Sequence, residues 1–199
     1  MSNIVSFILE HLYIVFTATI ISVAIGIALG VVAYWVPYVD KIILWIVEIL
    51  QTIPSLALLA MLMIIFGLGN TTMIVGLVLY ALMPIVRNTF TGLTDVAPHI
   101  KDAARGMGMN KLQRLTKVEL PLSFPMIFSG IKIAVVNSLS VAVMGVLIGA
   151  GGLGYPIYRG IQTNSLERIL AGAIPVVLMA LIFDFAMTKI ERRLIKRAQ

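Results

Sequence analysis

A chain of 199 residues that is 60% hydrophobic and only 12% charged, with a mean hydropathy of +1.03, falls well short of the roughly 25% charged residues of an ordinary soluble domain. Lipid, not water, is its main solvent. The net charge of +6 would suggest nucleic acid in a soluble protein, but here the cations lie between and after the apolar runs, where they set membrane orientation. The lack of cysteine excludes disulfide and thiol chemistry.

A membrane-spanning helix needs about 20 mostly apolar residues, and five runs approach that length: 13–36, 42–66, 71–86, 122–148 and 169–188. They are too long for the roughly ten-residue strands of a membrane barrel. The expected fold is therefore an all-α polytopic membrane protein with five transmembrane helices, a single domain over 1–199. The first run is not expected to be a cleaved leader: no Lys or Arg precedes Lys41, and the run exceeds an h-region.

In the first span Ala18, Ser22, Gly26 and Gly30 recur every four residues, a small-residue stripe that lets another helix approach closely. In the second, Glu48, Gln51, Thr52 and Ser55 follow i, i+3, i+4, i+7 spacing and would share one helix face. A carboxylate facing lipid costs several kcal/mol, so this face turns to protein or water, either as a pathway wall or as an interhelix hydrogen-bond seam. Pro54 removes one backbone donor and predicts a kink.

Between the third and fourth runs lies the charged loop 87–121, with Arg87, Lys101, Arg105, Lys111, Arg114 and Lys117. The C-terminal tail adds Lys189, Arg192, Arg193, Lys196 and Arg197, whereas only Arg159 and Arg168 separate the last two runs. By the concentration of cations in cytoplasmic loops, the N-terminus is expected outside, and the loop and C-terminus inside. Within the loop, Ile100, Ala103, Ala104 and Met107 form a short apolar stripe on a helix opening near Pro98, a favoured first-turn residue. Gly106 and Gly108 stop it. Asn110, with Gln113 three residues on, starts a second helix by a capping box, and Pro121 is expected to end that helix. A narrow stripe containing alanines suits docking in another protein's groove. It lacks the Trp or Phe of a helix lying on the bilayer.

The fourth span carries Lys132, Asn137, Ser138 and Ser140. The last three are candidates, with the second-span face, for a translocation path. A Glu48–Lys132 pair would neutralise both charges. Asp184 in the fifth span is expected at the bundle edge or near the tail cations. The stretch "GAGGLG" (149–154) fits G-x-G-x-x-G, but a dinucleotide site needs a strand before it and a helix after it. The run before it is of membrane length and "YPIYRGIQTN" does not read as a helix opening, so it is expected to be a flexible outer turn. No phosphate-loop motif, metal-ligand cluster or nucleophile–base pair stands out, and His11 and His99 fall in different compartments.

The loop resembles the E-A-A-x3-G-x9-I-x-L-P pattern of the inner-membrane subunits of bacterial ABC importers. Asp102-Ala103-Ala104, Gly108 and Val118-Glu119-Leu120-Pro121 fit it in register, with Asp for Glu and Val for Ile. Within that family, "QTIPSLALL" (51–59), "ARGMGM" (104–109), "VELPLSFP" (118–125) and "LIGAGGLG" (147–154) resemble the osmoprotectant branch, importers of glycine betaine, carnitine, choline and similar quaternary ammonium compounds. The resemblance implies a multi-pass permease of the bacterial cell membrane. It implies a second permease subunit, identical or related, a cytoplasmic ATPase dimer and an extracytoplasmic substrate-binding protein. Asp102, Gly108, Leu120 and Pro121, with the stripe at Ile100, Ala103, Ala104 and Met107, would couple the loop to the ATPase. ATP and magnesium would reside on that ATPase, so the chain itself is expected to bind no cofactor and catalyse no reaction. A quaternary ammonium is usually held by an aromatic cage, and a chain that is 8% aromatic shows no Trp or Tyr cluster in one span. The cage is expected in the binding protein, encoded as a separate chain. Two other readings compete: a gradient-driven secondary transporter, with Glu48 and Asp184 as ion-site candidates, and a scaffold that recruits a partner through the loop.

Overall fold

A computed structural model describes residues 2–198, and all its regular elements are helical. Helix α1 (Ser2–Trp35) is followed by α2 (Val39–Thr52), α3 (Ser55–Phe66), α4 (Asn70–Thr94), α5 (Pro98–Gly106) and α6 (Lys111–Arg114). A π-helical turn (Leu115–Glu119) leads into α7 (Leu120–Val141). A 3₁₀ stretch (Ala142–Ile148), α8 (Gly154–Gln162) and α9 (Leu166–Ala198) complete the chain. Four stretches are long and apolar enough to cross a membrane: α1, α4, residues 111–148 and α9. The bent α2–α3 pair makes a fifth. The apolar runs thus appear as membrane elements, although α1 begins well before residue 13 and α4 continues well past residue 86.

The second run is broken rather than kinked. Its two helices meet at 100°. Pro54 disfavours a helical conformation at the preceding residue, and Ile53 is extended, with φ −69° and ψ 126°. Ser55 therefore opens α3 and leaves the face shared by Glu48, Gln51 and Thr52.

The second loop helix starts as its sequence predicts. The Asn110 side chain accepts the Gln113 N–H at 2.9 Å, and the Gln113 side chain accepts the Asn110 N–H at 3.0 Å. Pro121 does not end it. The Leu120 N–H donates to the Leu115 carbonyl, one residue further back than in an α-helix. This wider turn lies just ahead of Pro121, whose ring would press on the Lys117 carbonyl in a regular helix. The chain runs through it into the fourth span, so the charged loop and that span share one backbone. "YPIYRGIQ" is likewise helical, as α8.

Helix α4 is the hub, packing on α1, α2, α3 and α7. The small-residue stripe makes the α1 contact: Ala18 and Ser22 are fully buried, and a Cβ at Gly30 would sit 2.5 Å from Thr89 Cβ. Ile14, Leu59, Met73, Leu77 and Leu139 join α1, α3, α4 and α7 in the main core. Helix α9 packs on α7 and α8 but leaves large apolar side chains such as Leu181 and Phe185 outward, as a lipid-facing surface does. Its C-terminal part reaches the α5 end of the bundle, where Glu191 and Ile195 line one groove with Ala97 and Ile100.

Candidate transport path and coupling surface

Gln51 of α2 and Asn137, Ser138 and Ser140 of α7 meet around a cavity of about 200 Å³. Tyr80 of α4, which the sequence reading did not single out, completes its polar lining. The apolar remainder is Leu77, Ala81, Ala134 and Val141, and none of the lining residues carries a formal charge. The Tyr80 hydroxyl donates to the Ile53 carbonyl, a group freed by the break at Pro54. Ser138 is buried, whereas Asn137 and Ser140 are exposed on a membrane-length helix. The other candidate path residues lie outside this cavity. Glu48 pairs with Arg87 at 2.8 Å, both half-exposed. Thr52 donates back to the Ile49 carbonyl at 2.7 Å, and Ser55 donates to Met144 Sδ at 3.3 Å. The expected Glu48–Lys132 pair does not form: Lys132 bonds Glu191 of α9 at 2.7 Å. The level of Lys132 in its span left several carboxylates eligible, and only the packing of α9 on α7 selects one. Asp184 is exposed on α9.

Helix α5 is fixed at one side and open at the other. Ala104 is 1% exposed and Ile100 half-buried, so these two face the protein's own bundle. Asp102, Ala103 and Met107 are exposed. The four-residue apolar stripe is thus split, and Ala104 is an anchor rather than part of an outward surface. A nine-residue helix has room for two narrow faces, and spacing alone does not tell which one its own bundle covers. Lys101 adds a second anchor, donating to the Leu93 and Thr94 carbonyls at 3.0 and 3.2 Å, where a cation suits the end of α4. The helix ends at Gly106, Met107 caps it, and Gly108 follows in the left-handed region at φ +79°. Of the two glycines expected to stop the helix, Gly108 makes the turn and Gly106 stays helical. Beyond it, Arg114 Nε donates to Glu119 Oε1 at 2.6 Å across the π-helical turn, with the Glu119 side chain 1% exposed. Leu120 and Pro121 are the first two residues of α7.

At the opposite end of the bundle the glycine-rich stretch is held, not loose. The Gly151 N–H donates to Asn70 Oδ1 at 2.8 Å, the Gly152 N–H to Glu10 Oε2 at 3.1 Å, and Asn70 Nδ2 to Glu10 Oε1 at 3.1 Å. The ring of His11 bonds the Leu139 carbonyl at 3.0 Å. Glu10 and Asn70 escaped the sequence reading because each stands alone in its run. Among the described residues no group of His, Asp and Glu could hold a metal ion.

The family of binding-protein-dependent transport system inner membrane components matches residues 8–196 of this sequence. The chain belongs to this family. Among its relatives, the carnitine transport permease protein OpuCB of Listeria monocytogenes is 39% identical over 95% of this chain and 87% of its own. The glycine betaine/carnitine/choline transport system permease protein OpuCD of Bacillus subtilis is 43% identical, covering 85% and 75% respectively. Among solved structures, the MetNI methionine ABC transporter in an inward-facing conformation superposes with a TM-score of 0.87 at 25% identity, over 98% of this chain and 97% of that one. The permease is therefore a multi-pass protein of the bacterial inner membrane and a transporter component rather than a catalytic enzyme.

Proposed function

We propose that this permease forms the membrane path of an ATP-driven importer of quaternary ammonium osmoprotectants, of the glycine betaine, carnitine and choline class. The α5 loop end would face the cytoplasm and the N-terminus the outside. The concentration of cations supports this orientation: the charged loop and the C-terminal part of α9 lie at the same end. The names of the relatives support the substrate class. The partners would be a cytoplasmic ATPase dimer holding ATP and magnesium, a second permease chain covering the exposed Asn137 and Ser140, and a separate extracytoplasmic binding protein.

The observation that carries the coupling role is the two-sidedness of α5. Ala104 and Lys101 fix it to the bundle, while Asp102, Ala103 and Met107 remain available to a motor subunit. The glycine turn then delivers any displacement of α5 to α6, whose backbone continues through the π-helical turn into α7 and its polar residues. The test is uptake of labelled glycine betaine, carnitine and choline into proteoliposomes holding the permease, the ATPase and the binding protein. Accumulation that needs internal-face ATP and survives ionophores is expected. Accumulation driven by an ion gradient without ATP would establish the secondary-transporter reading instead.

A further inference from the structure

The substrate class proposed above poses a recognition problem, and this inference rests on that reading. A quaternary ammonium group has no N–H to donate, so hydrogen-bond acceptors cannot read it specifically; it is read by aromatic faces and close apolar contact. A fixed carboxylate would attract it strongly, but a path must let its cargo leave as well as enter. The cavity between α2, α4 and α7 meets both demands. It has one aromatic residue, Tyr80, and no formal charge in its lining. The Tyr80 hydroxyl spends its proton on the Ile53 carbonyl, so what the residue offers a group that cannot donate a hydrogen bond is its ring. The amides of Gln51 and Asn137 and the hydroxyls of Ser138 and Ser140 supply donors for the carboxylate or hydroxyl at the other end of such a molecule. At about 200 Å³, the cavity suits a small solute.

We propose that Tyr80, with Gln51, Asn137, Ser138 and Ser140, forms a low-affinity subsite for quaternary ammonium compounds on the permease itself, in which the Tyr80 ring discriminates the cationic group. The subsite lies beside the broken α2–α3 span, and the same tyrosine ties the break to α4, so occupancy and the geometry of the break share one side chain.

The protein contains no cysteine, which allows a direct test in the assembled transporter. Ser140→Cys places a thiol in the cavity. Its labelling rate is measured with a trimethylammonium-ethyl methanethiosulfonate and with a neutral methanethiosulfonate, with and without glycine betaine, carnitine or choline as protectant. Preference for the trimethylammonium reagent is expected, and it should fall about two- to thirtyfold in Tyr80→Leu, the span corresponding to one cation–ring contact. Tyr80→Phe, which keeps the ring and loses the hydroxyl, should retain it. If Tyr80→Leu does not assemble, Tyr80→Met supports the same comparison. Protection by the osmolytes together with an unchanged preference in the leucine or methionine variant would overturn the ring's role while leaving the path reading intact. No protection by any of the three, or no reaction with either reagent, would remove the cavity from the path and overturn both.

Discussion

Replacing Gly108 isolates the mechanical role assigned to the loop, because the structure separates backbone cost from crowding at that position. Its φ of +79° lies in the left-handed region, and a Cβ built there meets nothing within 4 Å. The whole penalty for a side chain is therefore conformational, about 1–2 kcal/mol for an L-residue and higher for a β-branched one. That corresponds to an about 5- to 30-fold loss of the native turn relative to its alternatives. The spans do not depend on this turn, since their contacts run through the α1–α4–α7 core. Gly108→Val should insert at normal levels yet lose co-purification of the ATPase or substrate-stimulated ATP hydrolysis. Gly106 is the control: it too has open space around it, but it is the last residue of α5 and has no positive φ. Gly106→Ala should be neutral or slightly stabilising, by up to about 1 kcal/mol. Both are read by affinity purification with the ATPase and by hydrolysis in lipid. Equal behaviour of the two variants, or full coupling in Gly108→Val, would refute the argument that the left-handed turn orients α5.

Four further substitutions probe the ion pair at the π-helical turn, the exposed pair at Glu48 and the clasp at the far end. Glu119→Ala leaves the largely buried Arg114 uncompensated and should cost about 3–5 kcal/mol, seen as a lower thermal midpoint in detergent. Glu48→Ala, which breaks a half-exposed pair, should cost about 1 kcal/mol or less. A Cβ at Gly151 would lie 2.0 Å from the Glu10 carboxyl carbon, so Gly151→Ala should displace Glu10 from the Gly152 amide and cost about 1–3 kcal/mol of stability, seen as a lower thermal midpoint. Glu10→Ala, which removes the obstructing group, should make that substitution milder, and additive losses would contradict the clasp.

Much of this architecture is legible in the residues because it rests on local rules. Apolar run length marks the spans, the four-residue recurrence of small residues marks the α1–α4 seam, and the Asn110–Gln113 spacing marks a helix start. What escaped depends on how the backbone accommodates a proline and on contacts far apart in sequence. The run 42–66 reads as one span kinked at Pro54, and only the backbone of Ile53 shows that the proline divides it into two helices at 100° and drops Ser55 from the polar face. Pro121 reads as a stop, yet a π-helical turn carries the helix past it. Tyr80 is an ordinary aromatic in an apolar run until the break at Pro54 supplies its hydroxyl with a partner. Of the candidate path residues, Gln51, Asn137, Ser138 and Ser140 converge, whereas Glu48, Thr52 and Ser55 find other partners. A period places residues on a shared face but does not say which neighbour covers it, and the inward turn of Ala104 has the same origin.

That α5 is the contact with the motor can be tested one residue at a time in this cysteine-free chain. Single cysteines at Asp102, Ala103, Ala104 and Met107 are combined with a short thiol-to-amine cross-linker and the assembled ATPase, with and without ATP. Ala103→Cys and Met107→Cys should cross-link to the ATPase in a nucleotide-dependent way, whereas Ala104→Cys, 1% exposed in the parent residue, should not. Absence of cross-links at all the exposed positions, in complexes that still couple ATP hydrolysis to substrate, would contradict the account.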